Sequence, residues 1–65
     1  MSESDAPQTA PEDRRRDVFR ALVEAQDAGR TVPDSRQDVA RRFGLSEPEV
    51  RAIEREGIEH NWPPL

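Results

Sequence analysis

The stretch DVARRFGLSEPEVRAIE constrains the fold more than any other segment, because it places a turn signal between two short amphipathic runs. Gly44 stands where a tight turn needs a left-handed residue, and Leu45 follows as an apolar turn residue. Ser46 and Glu49 are spaced as a capping box, and Pro48 fits the first turn of the helix that such a box begins. The stretch therefore predicts a helix of about eight residues, a turn and a longer helix, which is the helix-turn-helix arrangement.

Apolar residues on both sides of this turn recur at helical spacing. Val39, Ala40 and Phe43 predict the inward face of the helix before the turn. Val50 and Ile53 predict the inward face of the helix after it.

A further helix is predicted upstream, because one apolar stripe is formed by Val18, Phe19, Leu22, Val23 and Ala25. Gly29 is a natural C-terminal stop for this helix. Arginines lie early in it and acids late, which is the unfavourable order for the helix dipole. Either the helix begins at the acids Glu12 and Asp13, or the arginines at 14–16 serve something outside it.

The connector RTVPDS joins the first helix to the second. Pro33 disfavours a helical conformation of the residue before it, so we expect Val32 to be extended and to enter the core. Asp34 or Ser35 is then expected to cap the second helix, and Ser35 with Asp38 is a variant of the capping box.

These elements predict an all-α fold, a small three-helix helix-turn-helix domain with a disordered acidic N-terminal tail. The tail is residues 1–11, the domain residues 12–62, and residues 63–65 form a C-terminal tail. Trp62 allows two interpretations. It either folds back over the core near Phe19, or it stays exposed and binds a partner, as tryptophan often does at interfaces.

Several classes of protein are excluded by composition. The chain has no cysteine and a single histidine, His60, so neither a disulfide nor a tetrahedral zinc site can be built within it. We expect no enzyme activity and no cofactor, because so small a chain forms no walled pocket. No apolar run is long enough to span a membrane, and no signal peptide is recognisable, so a cytoplasmic location is expected.

Charge is divided unevenly along the sequence. Residues 1–13 hold four acids and no base, which equals the whole net charge of −4. Residues 14–43 hold eight arginines against five acids, whereas residues 44–65 hold two arginines against five glutamates. We therefore expect a basic first half and an acidic second half. In the last helix the spacing predicts two (i, i+4) ion pairs, Glu47–Arg51 and Arg55–Glu59.

Residues 35–58, SRQDVARRFGLSEPEVRAIEREGI, resemble the C-terminal helix-turn-helix region (region 4) of bacterial RNA polymerase sigma factors. VRAIE is the most specific part of the likeness, which extends more loosely over residues 14–60. The matching residues are Val39, Phe43, Leu45, Ser46, Val50, Arg51, Ile53, Glu54 and Ile58. The large upstream regions of a sigma factor have no counterpart in these 65 residues, so a complete sigma factor is not expected.

The resemblance implies a small DNA-binding transcriptional regulator whose last helix enters the major groove of double-stranded DNA. Carried over by position, the residues nearest the bases are Glu47, Glu49, Arg51, Ala52 and Arg55, and Ser46 is a further candidate for DNA binding. The family usually has basic residues where this chain has two glutamates near the start of that helix. Such carboxylates can accept a hydrogen bond from cytosine N4, or they can support the helix N-terminus.

Arginines of the preceding helix are candidates for phosphate contacts, because the first helix of such a motif crosses the DNA backbone. They are Arg36, Arg41 and Arg42. One such module has little surface for tight binding, so a homodimer or a partner subunit is expected. The alternative is a protein-interaction module that binds RNA polymerase or a sigma factor through its acidic face.

Overall fold

Three helices form the fold in a computed structural model that describes residues 11–64. They are α1 (Glu12–Asp27), α2 (Val32–Phe43) and α3 (Glu47–Glu59), and each packs against the other two. No strand occurs in the described part of the chain, so the predicted all-α, three-helix fold is confirmed. The predicted disorder of the tail falls almost wholly on residues 1–10, which lie outside the described residues. None of the three helices is long and apolar enough to cross a membrane.

Helix α1 begins at its acids. Glu12 and Asp13 occupy its first turn, where negative charge is favourable, and this settles the alternative left open by the order of charges. The helix ends at Asp27, and Gly29 follows with a φ of 99°, in the region that glycine adopts readily. The expected stop at Gly29 is therefore confirmed.

Helix α2 begins earlier than the connector predicts. Thr31 is the cap, since its hydroxyl accepts a hydrogen bond from the Asp34 backbone N–H at 3.2 Å, and Pro33 lies inside the first turn. Val32 is helical and 40% exposed, so the expectation of an extended, buried residue is wrong. Proline lacks only an N–H that the first turn leaves unpaired, which is why the helix can begin before it.

Ser35 is a buried residue of α2 and not its cap, and the predicted capping box with Asp38 is not formed. Its hydroxyl donates to the Val32 carbonyl at 2.8 Å and accepts from the Gln26 side-chain amide at 3.2 Å. A buried hydroxyl is costly without partners, and these two contacts supply them. Ser35 therefore joins α2 to α1.

Helix α3 has the predicted start. Gly44 is left-handed, with a φ of 69°, and Ser46 and Glu49 form the complete capping box. At the other end Asn61 has a φ of 54°, and the Trp62 N–H donates to the Gly57 carbonyl at 2.9 Å. The chain is thereby turned back towards the core directly after the helix.

One core lies between the three helices and is closed by Trp62. It contains Val18, Phe19, Ala21, Leu22, Val39, Ala40, Val50, Ile53 and Trp62, with Val23, Phe43 and Leu45 packed against it. Trp62 is only 4% exposed, and its ring meets that of Phe19 edge to face at a centroid distance of 6.1 Å. The interpretation of Trp62 as a core residue is confirmed, and its assignment as an exposed partner-binding residue is wrong.

Candidate nucleic-acid interface

The arginines at the start of α1 are bound within the domain. Arg14 donates to the Phe43 carbonyl at the end of α2, at 3.0 Å, and lies over the Phe43 ring. Arg16 pairs with Glu12 at 2.8 Å and lies 5.1 Å from the centroid of Trp62. These basic residues hold helices and aromatic rings together, so they are poor candidates for phosphate contacts.

Arg15 joins α1 to α3 through a two-point contact with Glu56. Its Nε lies 2.8 Å from Oε1 and its Nη2 lies 2.9 Å from Oε2 of the carboxylate. The hydrogen bonds from Arg15 hold the pKa of Glu56 below its usual value, and the same contact raises the pKa of Arg15. Paired hydrogen bonds of this kind fix direction as well as distance, so they orient α3 on α1.

Arg36 joins α2 to α3 through a single oxygen of Glu54. Its Nη2 and Nε both lie 2.9 Å from Oε1 of Glu54, and both side chains are largely covered. Arg36 was expected to contact DNA. Its guanidinium is engaged with α3 instead, so a phosphate contact would have to compete with Glu54.

Ser46 and Glu49 are occupied by the N-terminus of α3. The Glu49 carboxylate accepts from the Ser46 N–H at 2.8 Å and from the Ser46 hydroxyl at 3.0 Å. These hydrogen bonds hold the pKa of Glu49 below its usual value. Two roles were considered for this carboxylate, a contact with cytosine and support of the helix N-terminus. The observed hydrogen bonds are those of helix capping.

Acid should therefore weaken the fold through Glu49 and Glu56. Because their pKa values are lowered by folding, their stabilisation is complete above the ordinary glutamate value of 4.5 and is lost as the pH falls below it. We expect Glu49→Gln and Glu56→Gln to flatten the fall in unfolding free energy on acidification, measured by urea denaturation at several pH values. Glu47→Gln removes one charge from the same turn and serves as the control. Wild-type acid sensitivity in both variants would contradict the assignment.

The outward face of α3 carries two arginines with no ion pair. Arg51 and Arg55 are exposed, and neither lies within 4.0 Å of a carboxylate in the described residues, so the predicted pairs with Glu47 and Glu59 are not formed. Glu47 is also exposed, on the first turn. Of the α3 residues predicted to face DNA, Arg51, Arg55 and Glu47 are thus the ones whose charged groups are free to meet a ligand.

An open groove runs along this face, beside the contact between α2 and α3. It is lined by Arg36, Arg51, Glu54, Arg55, Ile58 and Glu59. Ile58 is 56% exposed, so its apolar side chain lies on the surface of the groove and outside the core. The groove therefore combines two unpaired cations with one exposed carboxylate, that of Glu59, and one apolar side chain.

The acidic character predicted for the second half is largely cancelled in three dimensions. Helix α3 itself holds five glutamates and two arginines, a net charge of −3. Two of those glutamates are neutralised by Arg15 of α1 and Arg36 of α2, which brings the assembled surface to −1. The net charge of the sequence segment therefore overstates the repulsion that a phosphate would meet.

Three arginines surround one carboxylate on α2, a group that we call the Asp38 cluster (Arg30, Asp38, Arg41 and Arg42). The Asp38 carboxylate lies 3.4 Å from Arg30, 3.3 Å from Arg41 and 3.7 Å from Arg42. The two α2 arginines were predicted as site residues, but Arg30 and Asp38 were not. The spacing of Asp38 from Arg41 and Arg42 was a readable signal, whereas Arg30 reaches the cluster only through the turn between α1 and α2.

No protein-family model, no curated protein and no solved structure matches this chain. Within the described residues there is also no group of His, Asp or Glu arranged to hold a metal ion. His60 is exposed and stacks on Trp62 at a centroid distance of 6.1 Å. Inference of function therefore rests on the surface of the three helices.

Proposed function

We propose that the protein is a small helix-turn-helix regulator of transcription that binds double-stranded DNA in the cytoplasm, with α3 as its reading helix. The observation that carries this proposal is the pair Arg51 and Arg55, exposed on the outward face of α3 without an ion pair. An unpaired guanidinium can donate two parallel hydrogen bonds to guanine or to a phosphate. The resemblance to sigma factor region 4 points to the same helix.

The surroundings of these two arginines support the proposal. Ala52, between them, is small and exposed, so it does not block close approach, and apolar groups of this kind contact the thymine methyl. Glu47 lies one turn before Arg51 and can accept from cytosine N4. Glu49 is held at the N-terminus of α3 by the N–H and the hydroxyl of Ser46, so its carboxylate is engaged in capping the helix.

The small surface of the domain bears on which partners it needs. A single module of this kind offers too little surface for tight specific binding, so a second copy or a larger partner such as RNA polymerase is expected on the DNA. The alternative proposal is a protein-interaction module that binds RNA polymerase or a sigma factor. Ile58 favours it, because an exposed apolar residue flanked by arginines is typical of a protein contact.

DNA binding can be tested by fluorescence anisotropy with a random duplex and a sigma-type promoter fragment, each at low and moderate salt. We expect affinity to fall steeply with salt, because phosphate contacts release counterions. We expect Arg51→Ala to weaken binding to the preferred fragment by roughly 1–3 kcal/mol and to reduce its preference over random duplex. Arg55→Ala should act in the same direction.

Arg20→Ala is the matched control, since Arg20 is exposed on α1 and has no ion pair in the described residues. It should bind both duplexes like the wild type. Unchanged binding by Arg51→Ala would refute the assigned groove contact. A folded protein that binds neither duplex at low salt would refute DNA binding and favour the protein-interaction alternative.

A further inference from the structure

The Asp38 cluster lies on a different side of α2 from the groove beside α3. Arg36 is the α2 residue that lines that groove, and Asp38, two residues later, lies roughly 200° away around the helix. The surface hollow at the cluster shares no lining residue with the groove. It is lined by Arg30, Asp34, Gln37, Asp38 and Arg41. The cluster is therefore separate from the surface that α3 presents to a ligand.

The cluster and its surroundings carry a surplus of positive charge. Three arginines pair with one carboxylate, that of Asp38, and Asp34 is the other acid that lines the hollow. Arg42 lies 5.9 Å from the centroid of the Phe43 ring and Arg14 lies 5.4 Å from the same centroid, so Arg14 adds a fourth guanidinium. Four guanidinium groups against two carboxylates leave a charge of +2 on this surface.

Most of the hydrogen-bond donors in the cluster are unused. Within the described residues only Arg41 forms a hydrogen bond with Asp38, at 3.3 Å, whereas Arg30 and Arg42 lie at ion-pair distances of 3.4 and 3.7 Å. Each guanidinium has five N–H groups, and all three side chains are at least half exposed. Asp38 thus holds three guanidinium groups together and leaves most of their N–H groups open to a second carboxylate.

We propose that the Asp38 cluster is a docking surface for an acidic segment of a partner protein, and that it can hold this segment while α3 binds its own ligand. Guanidinium groups match carboxylates with parallel hydrogen bonds, so several carboxylates along one segment can meet the arginines in turn. Phe43 is only partly buried, and its ring offers an apolar contact that a protein segment can use and a free anion cannot. A duplex held by α3 meets the domain away from this side of α2, so the ligand of the cluster is a separate molecule.

The test is binding of a fluorescein-labelled octaglutamate peptide to the full chain, measured by fluorescence anisotropy at low and moderate salt. The cluster variant replaces three arginines by glutamine, Arg30→Gln, Arg41→Gln and Arg42→Gln. The comparison variant removes three exposed charges from α1 and α3, Arg20→Gln, Arg51→Gln and Arg55→Gln. Both variants have the same net charge, so they differ only in where the charge is lost.

We expect the wild type to bind the peptide at low salt and to release it as salt rises, because exposed ion pairs are screened. The cluster variant should bind at least about threefold more weakly, since each exposed pair contributes little by itself. The comparison variant should bind the peptide close to wild type. A folded wild type that does not bind octaglutamate at low salt would overturn the inference. Equal weakening in both variants would show general attraction to basic side chains and would overturn it as well.

A second measurement tests whether the two surfaces are separate. Labelled duplex is bound to the wild type at moderate salt, where charges farther apart than roughly 10 Å are largely screened, and unlabelled octaglutamate is added to saturation. The duplex should stay bound, and its displacement would mean that the surfaces overlap and would overturn the inference. Loss of duplex affinity in the cluster variant, with peptide binding unchanged, would assign these arginines to phosphates instead. If the wild type binds octaglutamate but no duplex, the proposed function fails and the docking surface stands.

Discussion

Trp62→Ala is expected to leave the domain largely unfolded at 25 °C. The side chain is 4% exposed and contacts Phe19 edge to face, and the guanidinium of Arg16 lies over its ring. Replacement of a buried tryptophan by alanine costs about 3–5 kcal/mol, and a core of this size supplies little more than 3–5 kcal/mol in total. The loss is therefore comparable with the whole stability of the fold.

The measurement is urea denaturation followed by far-UV circular dichroism, since the variant lacks the fluorophore. Trp62→Phe keeps a ring on Phe19 and should retain a cooperative transition at lower urea concentration. His60→Ala removes the exposed ring that stacks on Trp62 and should unfold close to wild type. If Trp62→Ala unfolds like the wild type, the closing role of this residue in the core is wrong.

Gly57→Ala is expected to destabilise the domain, although alanine is the better helix former. A Cβ atom at position 57 would overlap Cδ1 of Phe19, and that ring is itself buried. Helix propensity alone would stabilise the variant by roughly 1 kcal/mol. Overpacking of a tight core typically costs about 1–3 kcal/mol, and a contact this short has to displace the ring, so the net sign is unfavourable.

Two further variants separate the steric effect of Gly57→Ala from the effect of helix propensity on the unfolding free energy. Both are measured by urea denaturation. Ala52→Gly changes an exposed residue of the same helix and reports the cost of glycine without a steric contact. Phe19→Leu combined with Gly57→Ala should lose less than the sum of the single changes, because the smaller side chain makes room for the methyl group. A stabilised Gly57→Ala protein would mean that Phe19 moves aside easily.

The features that sequence predicted well are those with local causes. Gly44, Ser46 and Glu49 act on residues within one turn of themselves, so the start of α3 could be read directly. The start of α2 was misjudged because two local rules compete there. Pro33 disfavours helix at the residue before it, but Thr31 caps the helix and places the proline in the one turn that tolerates it.

The candidate site was predicted in its position and only partly in its chemistry. Arg51 and Arg55 are exposed as a reading helix requires, since their positions on α3 follow from the burial of Val50 and Ile53. The engagement of Arg36 by Glu54 could not be predicted, because it joins residues 18 positions apart on two helices. Pairing over such distances depends on how the helices pack, and helical periodicity does not contain that information.

The partners of the arginines in α1 could not be predicted for the same reason. From the sequence, these arginines could either belong to the helix alone or contact something outside it. Arg14 bonds a carbonyl 29 positions away and Arg15 a carboxylate 41 positions away. Likewise Gly57, a poor helix former within α3, leaves the space that the Phe19 ring of α1 occupies. In each case the residue type was ambiguous until its neighbour in space was known.

Three of the arginines give each pair of helices a polar connection, and the hydrogen bond from Gln26 to Ser35 adds a second between α1 and α2. Arg14 links α1 to the end of α2, Arg15 links α1 to α3, and Arg36 links α2 to α3. Because every pair of helices is linked, no helix can turn relative to the other two without breaking a polar contact. With only two links, one pair of helices would lack such a restraint. The orientation of α3 is thus determined by directional bonds as well as by a small apolar core. A domain of this size can therefore present its outward face as a rigid surface without enlarging its interior.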